Sequence, residues 1–205
     1  MKRKIGIMGG TFDPIHMGHL ILGEAAYEQF KLDKVCFMPA ANPPHKRNRD
    51  GRASDEERIE MVRRAIACNE HFELSLMEMQ MDGITYTYRT LERFLAQNPD
   101  AELYFIIGAD SLFDFEKWRN PERICQLCKM IVATRNQTSD EFLNQQIEHL
   151  ENVYNGTFLK LNTPDLDISS KMLRNYVKEK KSVRYYIPDS VLDYITQNNM
   201  YEDCM

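Results

Sequence analysis

The sequence has no long apolar run, no excess of positive charge and no even set of cysteines. No stretch of its 205 residues approaches the ~20 apolar residues that a membrane-spanning helix needs. The start at 1–4 is basic, but the apolar run after it is too short for a signal peptide. The formal net charge of −5 does not supply the basic field that broad nucleic-acid binding needs. We therefore expect a cytoplasmic protein with no membrane and no nucleic-acid partner.

The five cysteines, an odd number in a chain of this length, do not indicate a secreted disulfide framework. Cys125 and Cys128 form a C-x-x-C pair. A zinc or redox site needs a second ligand pair or a thioredoxin-like context, and the sequence offers neither. We interpret the pair as ordinary half-buried helix cysteines, and we predict no resident metal.

Strand and helix patterns alternate along the chain, which has 43% hydrophobic residues. The predicted strands are 4–8, 34–38, 72–76, 102–107, 130–133 and 157–161. The predicted helices are 20–30, 54–68, 87–97, 140–150, 170–180 and 190–197, with a Ser54–Glu57 capping box opening the second. Such alternation predicts an α/β fold with a Rossmann-like, doubly wound parallel sheet. We expect a single domain over 1–205, with an α/β core at 1–165 and C-terminal helices at 166–205.

Polar residues gather directly after the predicted strands, at 9–19, 42–47, 108–110 and 134–135. In open parallel sheets, ligands bind outside the carboxyl ends of the strands. The sequence therefore places a binding site at this edge of the sheet. The glycines do not form G-x-G-x-x-G, and no Gly-Lys-Ser/Thr follows, so neither an NAD-dependent oxidoreductase nor a P-loop protein is indicated.

The segment 9–20 carries two glycines and two histidines. Gly9 and Gly10 let the backbone approach a ligand, and the helix that follows offers free N–H groups to a phosphate. His16 and His19 are three residues apart, so on a first helical turn they point the same way. Phosphate binding and a structural pair of one capping and one packing histidine are both open, whereas metal motifs such as H-E-x-x-H are absent.

Residues 10–19, Gly-Thr-Phe-Asp-Pro-Ile-His-Met-Gly-His, resemble the T/HxGH motif of the nucleotidyltransferase superfamily. The resemblance implies that His16 and His19 contact the phosphates of ATP and stabilise the transition state. It also implies that Gly9, Gly10, Thr11 and Phe12 line the ATP site. Asp13 lies within the motif, but we do not assign it as a metal ligand.

Further segments resemble the bacterial nicotinate-nucleotide adenylyltransferases in type and order. The Pro-Pro-His-Lys loop at 43–46 implies that Lys46 holds phosphate, although a solvated basic loop is the plain alternative. The segment Thr85, Tyr86 and Thr87 implies backbone N–H groups that bind the nicotinate carboxylate. The resemblance implies that Trp118 stacks on the pyridine ring, and a role in core packing is the alternative.

The remaining segments imply an ATP site. Gly108 and Asp110 follow a strand, and Asp110 would bind ribose hydroxyls or cap a helix. Residues 168–174 resemble the motif that grips the ATP phosphates, which implies roles for Ile168, Ser169, Ser170 and Arg174. Many relatives carry Thr where this chain has Lys171, so which side chain grips is open. Arg135 would meet the adenosine or a phosphate, and the segment 185–195 is interpreted as packing.

The resemblance spans 5 to about 201 and implies an enzyme that transfers AMP from ATP to nicotinate mononucleotide. His16, His19, Lys46 and Arg174 would be its catalytic residues, and Mg²⁺ would enter with ATP. A phosphopantetheine adenylyltransferase, usually with Thr at position 16, and a non-catalytic nucleotide-binding module are the alternatives. A cytidylyltransferase would need an Ile-Ser-Thr-Thr segment, which is missing. The sequence leaves a homodimer open.

Overall fold

A six-stranded parallel sheet, in the order β3-β2-β1-β4-β5-β6, lies at the centre of the structure. The structure is a computed structural model, and it describes residues 2–41, 52–81, 83–133, 140–164 and 166–202. The strands are β1 Arg3–Gly10, β2 Lys34–Pro39, β3 Phe72–Leu74, β4 Ala101–Gly108, β5 Cys128–Ala133 and β6 Phe158–Leu161. This strand order belongs to the doubly wound nucleotide-binding fold, which confirms the predicted fold class.

Eight helices are described around the sheet. They are α1 Met17–Phe30, α2 Asp55–Ile66, α3 Thr87–Gln97, α4 Ala109–Phe113, α5 Pro121–Leu127, α6 Asp140–Tyr154, α7 Ser170–Lys178 and α8 Asp189–Gln197. The Ser54–Glu57 capping box opens α2 as predicted, because the Ser54 hydroxyl accepts the Glu57 N–H at 3.2 Å. Two short 3₁₀ turns lie at Glu78–Gln80 and Phe115–Lys117.

Side chains of one strand alternate between two apolar clusters, one on each face of the sheet. In β4, Leu103 and Phe105 belong to one cluster, and Tyr104 and Ile106 belong to the other. Residues of α1, α2, α7 and α8 pack on the Tyr104 side, and residues of α3, α4, α5 and α6 pack on the Leu103 side. The C-terminal helices thus share a core with the sheet. The boundary at 165 stays a prediction.

Some predicted boundaries are wrong, and two helices were not predicted. Helix α1 begins at Met17 rather than at 20, and β3 ends at Leu74. Helices α4 and α5 have five and seven residues, too short to show a helical period in the sequence. Cys128 is the first residue of β5 rather than a helix residue, because the chain turns from α5 directly into the sheet.

The strand order reverses its direction of growth between β1 and β4. Successive strands β2 and β3 lie on one side of β1, whereas β4, β5 and β6 lie on the other. At the carboxyl edge, Gly10 pairs with Pro39 and Gly108 pairs with Ala133. The crevice at this reversal is where ligands bind in open α/β sheets. Among the described residues, no helix is long and apolar enough to cross a membrane.

Candidate active site

The described residues that were predicted to form the site lie at or beyond the carboxyl ends of the strands. Gly9 and Gly10 end β1 and residues 11–19 follow it, Gly108 ends β4 and Asp110 follows it, and Ile168 to Arg174 follow β6. Thr85 to Thr87 follow β3 and open α3. The predicted Lys46 and Arg135 follow β2 and β5 in the chain, but they lie outside the described residues.

The two motif histidines lie against each other at the beginning of α1. His16 is the N-cap residue, and His19 is the third residue of the helix. Their rings stack with centroids 3.7 Å apart, and the His16 backbone N–H donates to His19 Nδ1 at 3.2 Å. Because Nδ1 accepts this bond, the proton of a neutral His19 ring lies on Nε2, an N–H donor suited to a phosphate oxygen. The two rings therefore lie on the same side of the helix start, as predicted. His16 is also the N-cap residue, as the structural interpretation of the pair expects.

Gly18 leaves the space in which the His16 ring lies. A Cβ atom added at Gly18 would be 3.0 Å from His16 Nδ1 and 3.9 Å from the Ile168 Cβ. Contacts of 3.0 Å are tighter than ordinary packing allows, so any larger residue must displace the ring. Gly18 therefore keeps free the space that the His16 ring occupies at the start of α1.

The N-terminus of α1 is less open than the sequence indicated. The Met17 N–H, the first of the helix, donates to the Tyr186 carbonyl at 2.8 Å. Residue Tyr186 belongs to the C-terminal segment before α8, which was interpreted only as packing. The expectation of free N–H groups is wrong at this position, because a remote carbonyl satisfies the group that a phosphate would have used.

Asp13 lies three residues before His16 and is 2% exposed. Its Oδ1 accepts the Tyr201 hydroxyl at 2.8 Å and the Ala53 N–H at 3.2 Å. Its Oδ2 faces Arg174 Nη1 at 3.7 Å and Arg52 Nε at 4.0 Å. A carboxylate that is removed from water needs such donors and opposite charges. Asp13 thus joins the loop after β1 to three distant parts of the chain.

Arg174 and the two serines place the start of α7 on the same loop. Arg174 Nη1 donates to the Asp13 carbonyl at 2.5 Å, and the Ser170 hydroxyl donates to the Pro14 carbonyl at 2.9 Å. Ser169 is the N-cap, and its hydroxyl accepts the Met172 N–H at 3.2 Å. Since Ser170 donates its only hydroxyl proton to the Pro14 carbonyl, that proton is not available to a phosphate in this arrangement. Lys171 is exposed beside them.

Thr11 and Phe12 shape the loop from inside. The Thr11 carbonyl accepts Arg58 Nη1 at 2.7 Å. Phe12 is 2% exposed with φ of 49°, and its ring meets the His19 ring edge-on at 5.0 Å. A Cβ atom at Gly10 would lie 3.0 Å from the Phe12 ring, so Gly10 makes room for it. The buried Phe12 ring leaves only its backbone for ATP, and the same holds for Ile168, which is 8% exposed.

Gly108 is the N-cap of the short helix α4, with Asp110 as the second helix residue. An added Cβ at Gly108 meets nothing within 4 Å, so the space above it is open. Asp110 is exposed at the carboxyl edge. Its alternative role as an N-cap is wrong, because Gly108 has that position.

On the other side of the crevice, Tyr86 is the N-cap of α3 and Thr87 is its first residue. The Tyr86 carbonyl accepts the Arg89 N–H at 2.9 Å, whereas helix geometry leaves the first N–H groups without a partner in the helix. Behind them, the Thr90 hydroxyl donates to Glu78 Oε1 at 2.9 Å. Burial raises the pKa of Glu78, and the Thr90 bond opposes that rise.

Trp118 follows the 3₁₀ turn at Phe115–Lys117 and is half-buried. Its ring meets Phe105 edge-on with centroids 6.1 Å apart, and it packs at a tilt on Phe115 at 5.5 Å. The packing interpretation therefore holds for part of the ring. The exposed part is what a pyridine ring would need.

The chain matches proteins of one family over nearly its whole length. The cytidylyltransferase-like family model matches residues 7–176. A probable nicotinate-nucleotide adenylyltransferase of Lachnoclostridium phytofermentans is 43% identical over 199 residues, which are 97% of this chain and 99% of the relative. One from Clostridium botulinum is 42% identical over 99% of this chain and 100% of the relative. This chain belongs to the nicotinate-nucleotide adenylyltransferase family.

Solved structures agree on the fold of this adenylyltransferase family member. The nicotinic acid mononucleotide adenylyltransferase of Plasmodium falciparum, solved in complex with NaAD, superposes with a TM-score of 0.77. It is 21% identical, and the match covers 97% of each chain. The complex of the same enzyme with APC gives a TM-score of 0.76.

The sequence does not indicate the contacts by which three residues of this adenylyltransferase, Asp13, Arg58 and Tyr201, hold the segments of the site together. Asp13 and Tyr201 are 188 residues apart, and no local pattern reports their contact. Arg58 did leave a signal, because it occupies the first position of the apolar face that continues through Met61, Val62, Ala65 and Ile66. It is 4% exposed and also donates to the Ala40 carbonyl at 2.9 Å, so it ties the ends of β1 and β2 together.

In the part of the adenylyltransferase that the structure describes, no group of three or more His, Cys, Asp and Glu side chains could hold a metal. Burial raises the pKa of Cys36 to about 12 and that of Cys125 to about 11, and it raises the pKa of Cys128 further. These thiols stay protonated at neutral pH, a state that does not favour metal binding or disulfide exchange.

Proposed function

We propose that this chain transfers the adenylyl group of ATP to the phosphate of nicotinate mononucleotide, forming nicotinate adenine dinucleotide and pyrophosphate. The observation that carries the proposal is the stacked His16–His19 pair at the reversal of the sheet, on the same loop whose Asp13 carbonyl accepts a hydrogen bond from Arg174. It lies in a chain that belongs to the nicotinate-nucleotide adenylyltransferase family. Several of its relatives carry that activity in their names, and one structural neighbour holds NaAD.

In the reaction, a phosphate oxygen of the mononucleotide attacks the α-phosphorus of ATP. A P–O bond forms there, and the bond between the α-phosphorus and the bridging oxygen breaks, so that pyrophosphate leaves with the electron pair. The nucleophile is already an anion, so no strong base is required. Catalysis is then mostly orientation and stabilisation of negative charge.

The phosphate side supplies donors and cations for this task. His16, His19 and Arg174 hold the ATP phosphates, and Lys46 holds the mononucleotide phosphate against the repulsion between the two anions. The N–H groups at the start of α7 and the exposed Lys171 add to this grip. Gly9, Gly10, Thr11, Phe12, Ile168 and Ser169 contribute backbone, and Arg135 meets the adenosine or a phosphate. Since the Ser170 hydroxyl is held by Pro14, its contribution comes from its N–H.

The other side of the crevice selects the acceptor. The first N–H groups of α3, at Thr87 beside Thr85 and Tyr86, bind the nicotinate carboxylate. Trp118 stacks on the pyridine ring. The open space above Gly108 receives the ribose and adenosine of ATP, with Asp110 accepting from the ribose hydroxyls.

Mg²⁺ enters with ATP as part of the substrate and keeps most of its waters, so the protein needs no carboxylate cage for it. We place the enzyme in the cytoplasm, as one domain with an α/β core at 1–165 and C-terminal helices at 166–205 that carry the Ile-Ser-Ser-x-x-Leu-Arg motif. Its partners are the two nucleotides rather than nucleic acid or a membrane, and the homodimer stays a prediction.

The proposal is tested by pyrophosphate release with ATP and Mg²⁺ and three acceptors: nicotinate mononucleotide, nicotinamide mononucleotide and phosphopantetheine. We expect release with the nicotinate acceptor at a kcat/KM at least tenfold above that with the nicotinamide one. The same purification of the His19→Ala variant controls for contaminating activity. Release only with phosphopantetheine, or silence with all three acceptors, contradicts the proposal.

A further inference from the structure

The last described turn of the chain reaches the phosphate side of the site. After α8, the Met200 N–H donates to the Ile195 carbonyl at 3.0 Å, and Tyr201 adopts a left-handed backbone with φ of 63°. The Tyr201 side chain turns inward and is 8% exposed. Its hydroxyl donates to Asp13 Oδ1 at 2.8 Å, across 188 residues of sequence.

This phenol is a permanent donor. Burial, the charge of Asp13 and the hydrogen bond to it raise the pKa of Tyr201 far above its ordinary value. The hydroxyl therefore stays protonated at every pH at which the enzyme would be assayed. The Met61 sulfur lies 3.8 Å from the hydroxyl and is a far weaker acceptor than a carboxylate. The bond to Asp13 is therefore the stronger of these two interactions.

The contact orients the whole Asp13 carboxylate. With Oδ1 held by the Tyr201 hydroxyl and the Ala53 N–H, Oδ2 is left facing Arg174 and Arg52. Arg174 also donates to the Asp13 carbonyl, so this one residue contacts the guanidinium through its backbone and its side chain. Arg174 in turn is 19% exposed at the start of the crevice.

We propose that Tyr201 is a positioning residue for adenylyl transfer, which orients the Asp13 carboxylate and through it holds Arg174 toward the ATP phosphates. The inference rests on the proposed function, because the role of Arg174 on ATP comes from there. It makes the C-terminal end of the described chain part of the ATP site rather than a packing segment. Loss of the one hydroxyl leaves the ring in place but removes one of the two hydrogen bonds to Oδ1 described above, so the carboxylate is held less firmly.

The test is Tyr201→Phe, which removes one oxygen atom, compared with Tyr194→Phe as the matched control. Tyr194 lies in the same C-terminal segment. Its ring packs against Arg64, whose guanidinium carbon is 4.7 Å from the ring centroid. We expect Tyr201→Phe to lower kcat/KM for ATP about tenfold, as the loss of a hydrogen bond to a charged group implies. KM for nicotinate mononucleotide should change less than twofold, and Tyr194→Phe should match the wild type.

A double-mutant cycle with Arg174→Ala separates positioning from mere stability. If Tyr201 acts through Arg174, then Tyr201→Phe costs less than twofold in kcat/KM for ATP once Arg174 is gone. An equal tenfold loss in both backgrounds overturns the proposal. A lower melting temperature with unchanged ATP kinetics also overturns it, since a purely structural anchor gives that result.

Binding of α,β-methylene ATP, measured by calorimetry, keeps this inference distinct from the proposed reaction. The measurement needs no turnover. If the wild type releases no pyrophosphate, the proposed function fails, yet weaker binding of the analogue by Tyr201→Phe still supports the positioning role. Equal affinity of wild type and variant for the analogue contradicts that role whatever the wild type catalyses.

Discussion

On the side of the crevice where we propose that the ATP phosphates bind, called the phosphate side, four residues from three distant segments meet on one loop. Arg58, Ser170, Arg174 and Tyr201 each donate a hydrogen bond to the stretch from Thr11 to Pro14. The opposite side, where we propose that the pyridine ring binds, is called the pyridine side. There, a helix start, a turn and apolar packing place Thr85 to Thr87 and Trp118. One side depends on polar contacts over long sequence distances, and the other depends on local structure.

This difference indicates which mutations should affect turnover and which should affect the acceptor preference of the enzyme. Catalysis needs donors that are already oriented toward the charge that develops, and oriented donors need support from several directions. Selection of an acceptor needs a helix start and a ring, which short segments can provide. We therefore expect changes on the phosphate side to lower turnover and changes on the pyridine side to alter the acceptor preference.

The largest effect is expected for His19→Ala. Loss of a donor aimed at the transition state should lower kcat about 10³-fold, with a small loss of stability because Nδ1 no longer accepts the His16 N–H. Pyrophosphate release and thermal unfolding measure the two effects. His149→Ala is the control, since that half-exposed histidine pairs with Glu116 away from the motif. Near-normal turnover of a folded His19→Ala protein would remove His19 from the mechanism.

Gly18→Ala should have the next largest effect. Its new Cβ requires the His16 ring to shift by a few tenths of an ångström, and because catalysis depends on the orientation of that ring we expect kcat/KM to fall by about 10- to 100-fold. Gly156→Ala introduces a comparable clash, 2.8 Å from Cys125 Sγ, remote from the histidines. Both variants should unfold at lower temperature, but only Gly18→Ala should lose activity when assayed well below its melting point. Equal kinetic losses in the two would contradict the positional role of Gly18.

Trp118→Leu tests the pyridine side. A lost stacking surface is worth about 1–3 kcal/mol, so KM for nicotinate mononucleotide should rise about tenfold while KM for ATP stays within twofold. Phe113→Leu, at a ring that is 49% exposed on α4, is the control. If KM for ATP rises with that for the acceptor, the two sides are not separable as described here.

Ser169→Ala should have the smallest effect. It removes the N-cap of α7 and should lower the free energy of unfolding by about 1 kcal/mol, with less than a threefold change in turnover. Ser190→Ala, at an exposed serine in α8, is the comparison in denaturant titrations. A collapse of turnover in Ser169→Ala would mean that its hydroxyl contacts substrate.

The sequence predicts the parallel sheet and the edge that carries the site, because strand periods and the polar residues after them are local signals. It also predicts the paired histidines, whose distance follows from three positions on one helical turn. It does not predict the bonds of Asp13 to Tyr201 and Arg174, since each partner is specified only by the folded chain. The occupied N–H of Met17 was missed for the same reason.

Short elements set the other limit of the sequence. Helices α4 and α5 have too few residues to show a helical period in the sequence. Pro121, at the start of α5, is equally typical of a loop and of the first turn of a helix. For the same reason the sequence leaves an N-cap role open for Asp110, although Gly108 has that position. Lys46 and Arg135 lie outside the described residues, so their assigned roles stay predictions.

The most direct test of the account follows the label from ATP carrying ³²P at the α-position, mixed with nicotinate mononucleotide, Mg²⁺ and enzyme. If the adenylyl group is transferred, the label appears in the dinucleotide and the released pyrophosphate carries none. Label recovered in AMP, or ³²P in a product that retains the β-phosphate of ATP, would contradict adenylyl transfer at the α-phosphorus.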